Sequence, residues 1–204
     1  MKEDTEFFGV CENNELLTIA KAKDAAVKTG INFSKAMPKG KFDAVVADAS
    51  FVRPKNLQEF LSQTIDASSK QVICFLATAS SFGEIFSILW ESLFELDLLE
   101  KSGEVERLIS DIPTISHLED LVKDLGLSKI EIITINEHFD FESGEKFITA
   151  PLVDNFLLPA WLDFLGKREQ TRVKRKLVQN IDDNRNDLTF RFSVKATLLM
   201  GEKE

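Results

Sequence analysis

Polar and aromatic residues follow the most strand-like run of the sequence, at a position where side chains could bind a ligand. Residues 42–47 (FDAVVA) are apolar on both faces, as expected of a buried parallel strand, and Asp48, Ser50 and Phe51 come next. In a doubly wound sheet, ligands bind beyond the carboxyl ends of the strands. We therefore expect these three residues to contact a ligand, with Asp48 alternatively a loop carboxylate or a helix cap.

A second candidate is an aromatic stripe downstream. Phe82, Phe86 and Trp90 are spaced four apart in an apolar segment, residues 82–99, that we predict to be a helix. Such a stripe is typical of a core, but it could also line a hydrophobic substrate pocket.

His117 is the third candidate. Ser116 and Glu119 match a capping box, which places His117 in the first turn of a helix, where a neutral imidazole could serve as a general base. The alternative is an ordinary surface histidine. His138, Cys11 and Cys74 are isolated and no CxxC pair exists, so the sequence predicts no metal site.

The elements that would position these residues alternate between strand and helix. This alternation predicts one α/β domain, residues 1–204, with a doubly wound, mainly parallel Rossmann-like sheet and helices on both faces. Strands are expected at residues 7–11, 31–33, 42–47, 71–77, 129–135 and 190–200, with helices after most of them and a polar linker at 179–187.

Composition narrows the class of protein. The 204 residues are 44% hydrophobic and the net charge is −9, which disfavours binding to nucleic acid or to an anionic membrane. No signal peptide and no apolar run of about 20 residues is present, so we expect a cytoplasmic protein without a membrane span.

Several segments in order resemble the class I S-adenosylmethionine-dependent methyltransferases. Residues 8–21 (FGVCENNELLTIAK) resemble that family's second strand and helix, 41–47 its fourth strand, 121–135 its late helix and sixth strand, and 192–203 its closing strand. The resemblance implies a methyltransferase-like protein that transfers a methyl group from S-adenosylmethionine to a small or lipid-like acceptor. It implies a cofactor site at Glu12, Asp48, Ser50 and Phe51, and a substrate pocket at Phe82, Phe86, Trp90 and His117.

The sequence also departs from that family, as if shortened at its N-terminus. It contains neither the family's first strand nor its glycine-rich loop, which lets backbone approach the cofactor. Cys11 occupies the acidic ribose position, and Ser34-Lys35-Ala36 offers no carboxylate for the adenine. A degenerate cofactor site is thus one interpretation. The alternatives to an enzyme are a non-catalytic module that acts through protein partners, or a truncated product.

Loss of the first strand would leave two neighbouring strands without a shared partner. The second and fourth strands could pair directly, another chain could donate a strand, or residues 7–11 could take the central place. An open strand edge invites association, so a homodimer is a further expectation.

Overall fold

The computed structural model describes residues 5–11, 13–184 and 188–203, and contacts divide the chain into two compact units, Met1–Lys41 and Phe42–Glu204. The single domain predicted from the sequence stays a prediction. The first unit holds β1 (Phe8–Val10), α1 (Asn14–Val27) and β2 (Asn32–Ser34). The second holds β3 (Phe42–Asp48), α2 (Pro54–Ala67), β4 (Ser68–Ala77), α3 (Gly83–Glu95), α4 (Ser102–Ser110), α5 (Ile115–Asp124), β5 (Leu127–Phe141), α6 (Gly144–Ile148), α7 (Leu158–Trp161), α8 (Lys167–Asn184) and β6 (Phe190–Lys203).

The first unit is a strand–helix–strand segment. Its two strands pair in parallel, with Phe8 opposite Asn32. Asn13 caps α1, because its side-chain oxygen accepts a hydrogen bond from the backbone N–H of Leu16 at 2.9 Å. The helix ends at Lys28, whose left-handed φ of 59° lets its N–H bond to the carbonyl of Asp24.

The second unit contains a four-stranded sheet in the order β3-β4-β6-β5. β3 and β4 are parallel, and β6 runs antiparallel to both β4 and β5. Three strands therefore share one direction, and the predicted mainly parallel α/β sheet is confirmed. β3 lies at an edge of this four-stranded sheet.

Helices pack on both faces of the four-stranded sheet. On one face, α2 and α5 bury Val72, Cys74 and Leu76. On the other, the cluster that contains α3 and α8 buries Phe190 and Phe192 at the start of β6. Side chains along a strand alternate between the two faces of the sheet. Every second residue therefore packs on one layer of helices, and the residues between them pack on the other layer.

Two elements are longer than their sequence pattern predicts. β5 extends to Phe141 because its polar second half pairs residue by residue with β6, up to Phe141 opposite Phe190. His138 therefore lies on this strand, beyond the end expected at residue 135, and its Nδ1 is 3.0 Å from the hydroxyl of Ser193. α8 continues to Asn184, well into the expected linker.

The helices of the described residues are too short or too polar to cross a membrane.

Candidate ligand-binding pocket

A cavity of about 350 Å³ opens in the second unit at the carboxyl ends of β3 and β4. Residues 49–53, which connect β3 to α2, and residues 54 and 55 at the start of α2 form one side, and Leu76 and Ala77 at the end of β4 form its floor. The rest comes from α3, α4 and the segment around α7. Six aromatic side chains line it: Phe51, Phe82, Phe86, Phe156, Trp161 and Phe164.

The inner wall is a packed aromatic cluster. Phe82, Phe86 and Trp161 are 9%, 2% and 6% exposed. The ring centroid of Trp161 lies 5.3 Å from those of both phenylalanines, in edge-to-face geometry that favours aromatic pairs. The cluster gives the pocket a rigid apolar end.

Backbone geometry fixes Phe82 in this wall. The loop between β4 and α3 contains two non-glycine residues with left-handed backbones, Ser80 at φ 80° and Phe82 at φ 67°. The Phe82 N–H donates to the carbonyl of Ser193 at 2.9 Å, which ties the loop to β6. Residues in this conformation are strained by roughly 1–3 kcal/mol and persist only where their surroundings impose it.

Buried hydroxyls hold the same loop. The Thr78 and Thr197 hydroxyl oxygens are 2.8 Å apart, and the Ser81 hydroxyl donates to the carbonyl of Thr78 at 2.7 Å. All three side chains belong to buried residues. Their mutual hydrogen bonds satisfy polar groups that would otherwise destabilise the pocket floor.

The pocket mouth carries a half-exposed aromatic pair. The rings of Phe51 and Phe156 have centroids 4.7 Å apart and an interplanar angle of 30°, and the residues are 45% and 44% exposed. Large aromatic surface is thus available beside the opening.

Charged side chains surround the mouth but largely neutralise one another. Arg53 forms an ion pair with Asp163, and Arg107 contacts Glu104 at 3.2 Å, all four lining the pocket. Lys55 and Asp111 add one charge of each sign. The pocket is therefore apolar within and balanced in charge at its rim.

The residues predicted from the sequence fall into two groups. Ser50, Phe51, Phe82 and Phe86 line the cavity. Asp48, Trp90 and His117 lie outside its lining, and Glu12 lies outside the described residues.

Each residue outside the lining has a local reason for its position. Asp48 ends β3, and its carboxylate accepts the Ser50 N–H at 2.9 Å. Trp90 is about 6 Å further along the helix than Phe86, at 1.5 Å rise per residue, and stacks on Phe94 at the surface. The backbone N–H of His117 donates to Thr114, which caps α5 where Ser116 was predicted to do so.

The side of the pocket formed by the segment around α7 was not predicted from the sequence. Phe156, Trp161 and Phe164 come from an apolar segment interrupted by prolines, where a π-helical turn, Val153–Leu157, precedes α7. Such turns are rare and frequently occur at functional sites. The sequence shows aromatic residues close to Pro159, but whether their side chains line the pocket depends on that turn.

The degenerate cofactor site expected from the sequence stays a prediction, and the following observations concern the residues named for it. No glycine lies between β3 and α2, and Cys11 follows β1 without a neighbouring glycine-rich loop. The Ser34 hydroxyl at the end of β2 already donates to the carbonyl of Ala36 at 2.6 Å. The described residues contain no cluster of histidine, cysteine and carboxylate side chains that could hold a metal.

The order of strands, with β6 inserted antiparallel beside β4, and the pocket at the strand ends define a class I methyltransferase-like fold. A candidate methyltransferase from Bacillus halodurans is similar over 96% of this chain and 81% of its own, at 14% identity and a TM-score of 0.56. The YcgJ protein from Bacillus subtilis is similar over 98% of this chain and 82% of its own, at 12% identity and a TM-score of 0.55. No protein-family model and no curated protein sequence matches the chain.

Proposed function

We propose that this chain is a methyltransferase-like protein whose aromatic pocket holds a small or lipid-like apolar molecule in the position of a methyl acceptor. The observation that carries the proposal is the cavity of about 350 Å³ at the carboxyl ends of β3 and β4, lined mostly by apolar side chains. Ligands of α/β sheets bind at this edge, and cavities of this size suit small molecules.

The pocket's own residues would position such a molecule and exclude water from it. Phe82, Phe86 and Trp161 close its inner end, and the Arg53–Asp163 ion pair spans part of its rim. Positioning is the main contribution a protein makes to a displacement reaction between two bound molecules. A preformed apolar pocket therefore suits this role without a dedicated nucleophile.

The pocket can be tested with apolar probes. Naphthalene and decanol would be titrated by calorimetry into the wild type, Phe51→Ala and the control Phe94→Ala. Both substitutions remove a half-exposed aromatic ring, but only Phe51 lines the cavity. We expect at least one probe to bind the wild type and Phe94→Ala equally, and Phe51→Ala about fivefold more weakly, because part of its apolar contact is lost. Equal binding to all three proteins, or none, would refute the pocket proposal.

A second candidate is a non-catalytic module of the same fold. Cys11 in place of the acidic ribose residue and the lack of a carboxylate at Ser34–Ala36 favour it. Calorimetric titration with S-adenosylhomocysteine separates the two candidates. Saturable heat that weakens in Asp48→Asn would show that this chain holds the cofactor of a methyltransferase and would argue against the module. No heat at high protein concentration would support the module, and the chain would then bind its ligand without transferring a group to it.

A further inference from the structure

One buried hydrogen-bond donor in the pocket wall has no partner among the residues that the structure describes. Trp161 is 6% exposed and lines the cavity, yet its indole N–H donates no hydrogen bond within residues 5–11, 13–184 and 188–203. Buried indole N–H groups usually find an acceptor, and an unmade bond of this kind is costly. An indole can only donate, so the missing partner is an acceptor atom.

The indole cannot easily turn away to find another acceptor. Its ring contacts those of Phe82 and Phe86 at 5.3 Å each and that of Phe192 at 6.2 Å. Three rings that belong to buried residues therefore hold it in one orientation. A donor held in this way selects a ligand group by position as well as by chemistry.

The mouth of the pocket adds a second requirement, for a flat apolar body. Phe51 and Phe156 present half-exposed ring surface beside the cavity, 4.7 Å apart. Aromatic rings gain from offset-stacked or edge-to-face contact with another ring, beyond the area that they bury. A planar aromatic molecule uses this surface better than a flexible chain does, because fewer rotatable bonds are ordered on binding.

The rim charges argue against an ionised ligand. Arg53 and Arg107 each face a carboxylate that also lines the pocket, Asp163 and Glu104. A charged ligand group at either arginine would have to displace its carboxylate, and the other two rim charges, Lys55 and Asp111, are of opposite sign. The donor at Trp161 is neutral and suits an uncharged oxygen.

We propose that the pocket binds a planar aromatic molecule with an uncharged oxygen acceptor, its ring at Phe51 and Phe156 and its oxygen on the Trp161 N–H. The inference rests on the proposed function only in taking this cavity as the ligand site. It narrows the ligand from any small or lipid-like molecule to an aromatic ketone, ether or phenol. A cavity of about 350 Å³ has room for two fused rings and a short substituent.

Two probes, one with and one without an oxygen acceptor, test this. Acetylnaphthalene carries a carbonyl oxygen, whereas ethylnaphthalene has the same ring system and a two-carbon substituent without that oxygen. Both would be measured by equilibrium dialysis on the wild type, Trp161→Phe and Trp90→Phe. We expect the wild type and Trp90→Phe to bind acetylnaphthalene about twofold to tenfold more tightly than ethylnaphthalene, as follows from the net contribution of one neutral hydrogen bond. In Trp161→Phe the two affinities should become equal.

Fluorescence gives a second measurement that needs no change at Trp161. The chain has two tryptophans, so Trp90→Phe leaves Trp161 as its single indole reporter. Trp90 is 43% exposed and outside the pocket, so this variant should fold normally. Acetylnaphthalene should change the emission of Trp161 and shift it to longer wavelength, and ethylnaphthalene should quench it without that shift.

Each contrary result has a distinct meaning. An unchanged preference for acetylnaphthalene in Trp161→Phe, or the absence of any preference in the wild type, would overturn the acceptor assignment. Tighter binding of decanol than of either naphthalene would overturn the aromatic assignment and leave the proposed function standing. If none of the three probes binds, the proposed function fails together with this inference.

Discussion

The left-handed backbone of Phe82 predicts an inverted order of stability between two substitutions. In most contexts alanine is more favourable than glycine, by roughly 0.5–1 kcal/mol in a helix or strand. Phe82, however, has φ 67° and is the cap residue before α3. A glycine adopts this conformation without a Cβ clash and is also preferred over alanine at helix N-caps. Phe82→Gly should therefore unfold at higher urea concentration than Phe82→Ala.

The magnitude follows from two separate contributions. Both variants lose a ring that is 9% exposed and packs on Phe86, Trp161 and Phe192, which costs about 3–5 kcal/mol for a buried phenylalanine. The backbone contribution distinguishes them and should favour glycine by about 1 kcal/mol. Both substitutions should also widen the inner end of the pocket, because each removes the Phe82 ring.

The assay is urea unfolding followed by tryptophan fluorescence, with the linear extrapolation applied to both variants. Ser80→Gly is the matched control, because Ser80 is exposed, has φ 80° and makes no side-chain hydrogen bond within the described residues. It should be more stable than the wild type by about 0.5–1 kcal/mol. If Phe82→Ala proves the more stable of the pair, or Ser80→Gly destabilises the protein, the strain assigned to this loop is wrong.

Three further predictions concern buried groups and one ion pair. Burial raises the pKa of the Cys74 thiol to about 12, so iodoacetamide at pH 8 should leave Cys74 unmodified in the native protein and alkylate it in urea, as read by mass spectrometry. Thr197→Val should lower the free energy of unfolding by roughly 0.5–1.5 kcal/mol, because the Thr78 hydroxyl keeps only its 3.5 Å bond to the carbonyl of Lys195, and the double valine variant should recover part of that loss. A hydrogen bond from Lys101 lowers the pKa of Glu169 below its ordinary 4.5, so the pair stabilises the fold above that pH and loses its effect as the pH falls through the lowered pKa. Glu169→Gln should accordingly be less stable than the wild type in thermal unfolding at pH 7, and an equal gap at pH 3 would contradict this assignment.

Local patterns in the sequence were sufficient to predict the class of fold. The alternation of apolar strands and helices predicted a mainly parallel α/β sheet, and the similarity to solved methyltransferase-like structures confirms it. These patterns succeed because the period of the apolar residues, two in a strand and 3.6 in a helix, is a property of neighbouring residues. The placement of Ser50 and Phe51 after β3 followed from the same rule, since parallel strands end at one edge.

The extent of β5 shows where local patterns fail. Residues 136–140 (NEHFD) are mostly polar and lie beyond the strand expected at residues 129–135, but they form a strand because β6 supplies a partner along this length. Strand formation depends strongly on the neighbouring strand and on how its side chains pack across the pair. That partner lies more than 50 residues away in sequence, as Arg191 opposite Asp140 illustrates.

The sequence by itself determined the order of elements and one half of the pocket, the half contributed by residues that directly follow β3 and β4. Only the tertiary structure decided the other half. Trp161 and Phe156 reach the cavity because a π-helical turn and the packing of α7 against Phe82 direct them there. Trp90 lies on the same stripe as Phe86 but about one helical turn further along α3, outside the lining of the cavity. The physical reason is that periodicity identifies an apolar face, whereas contacts between distant segments decide which part of that face borders a cavity.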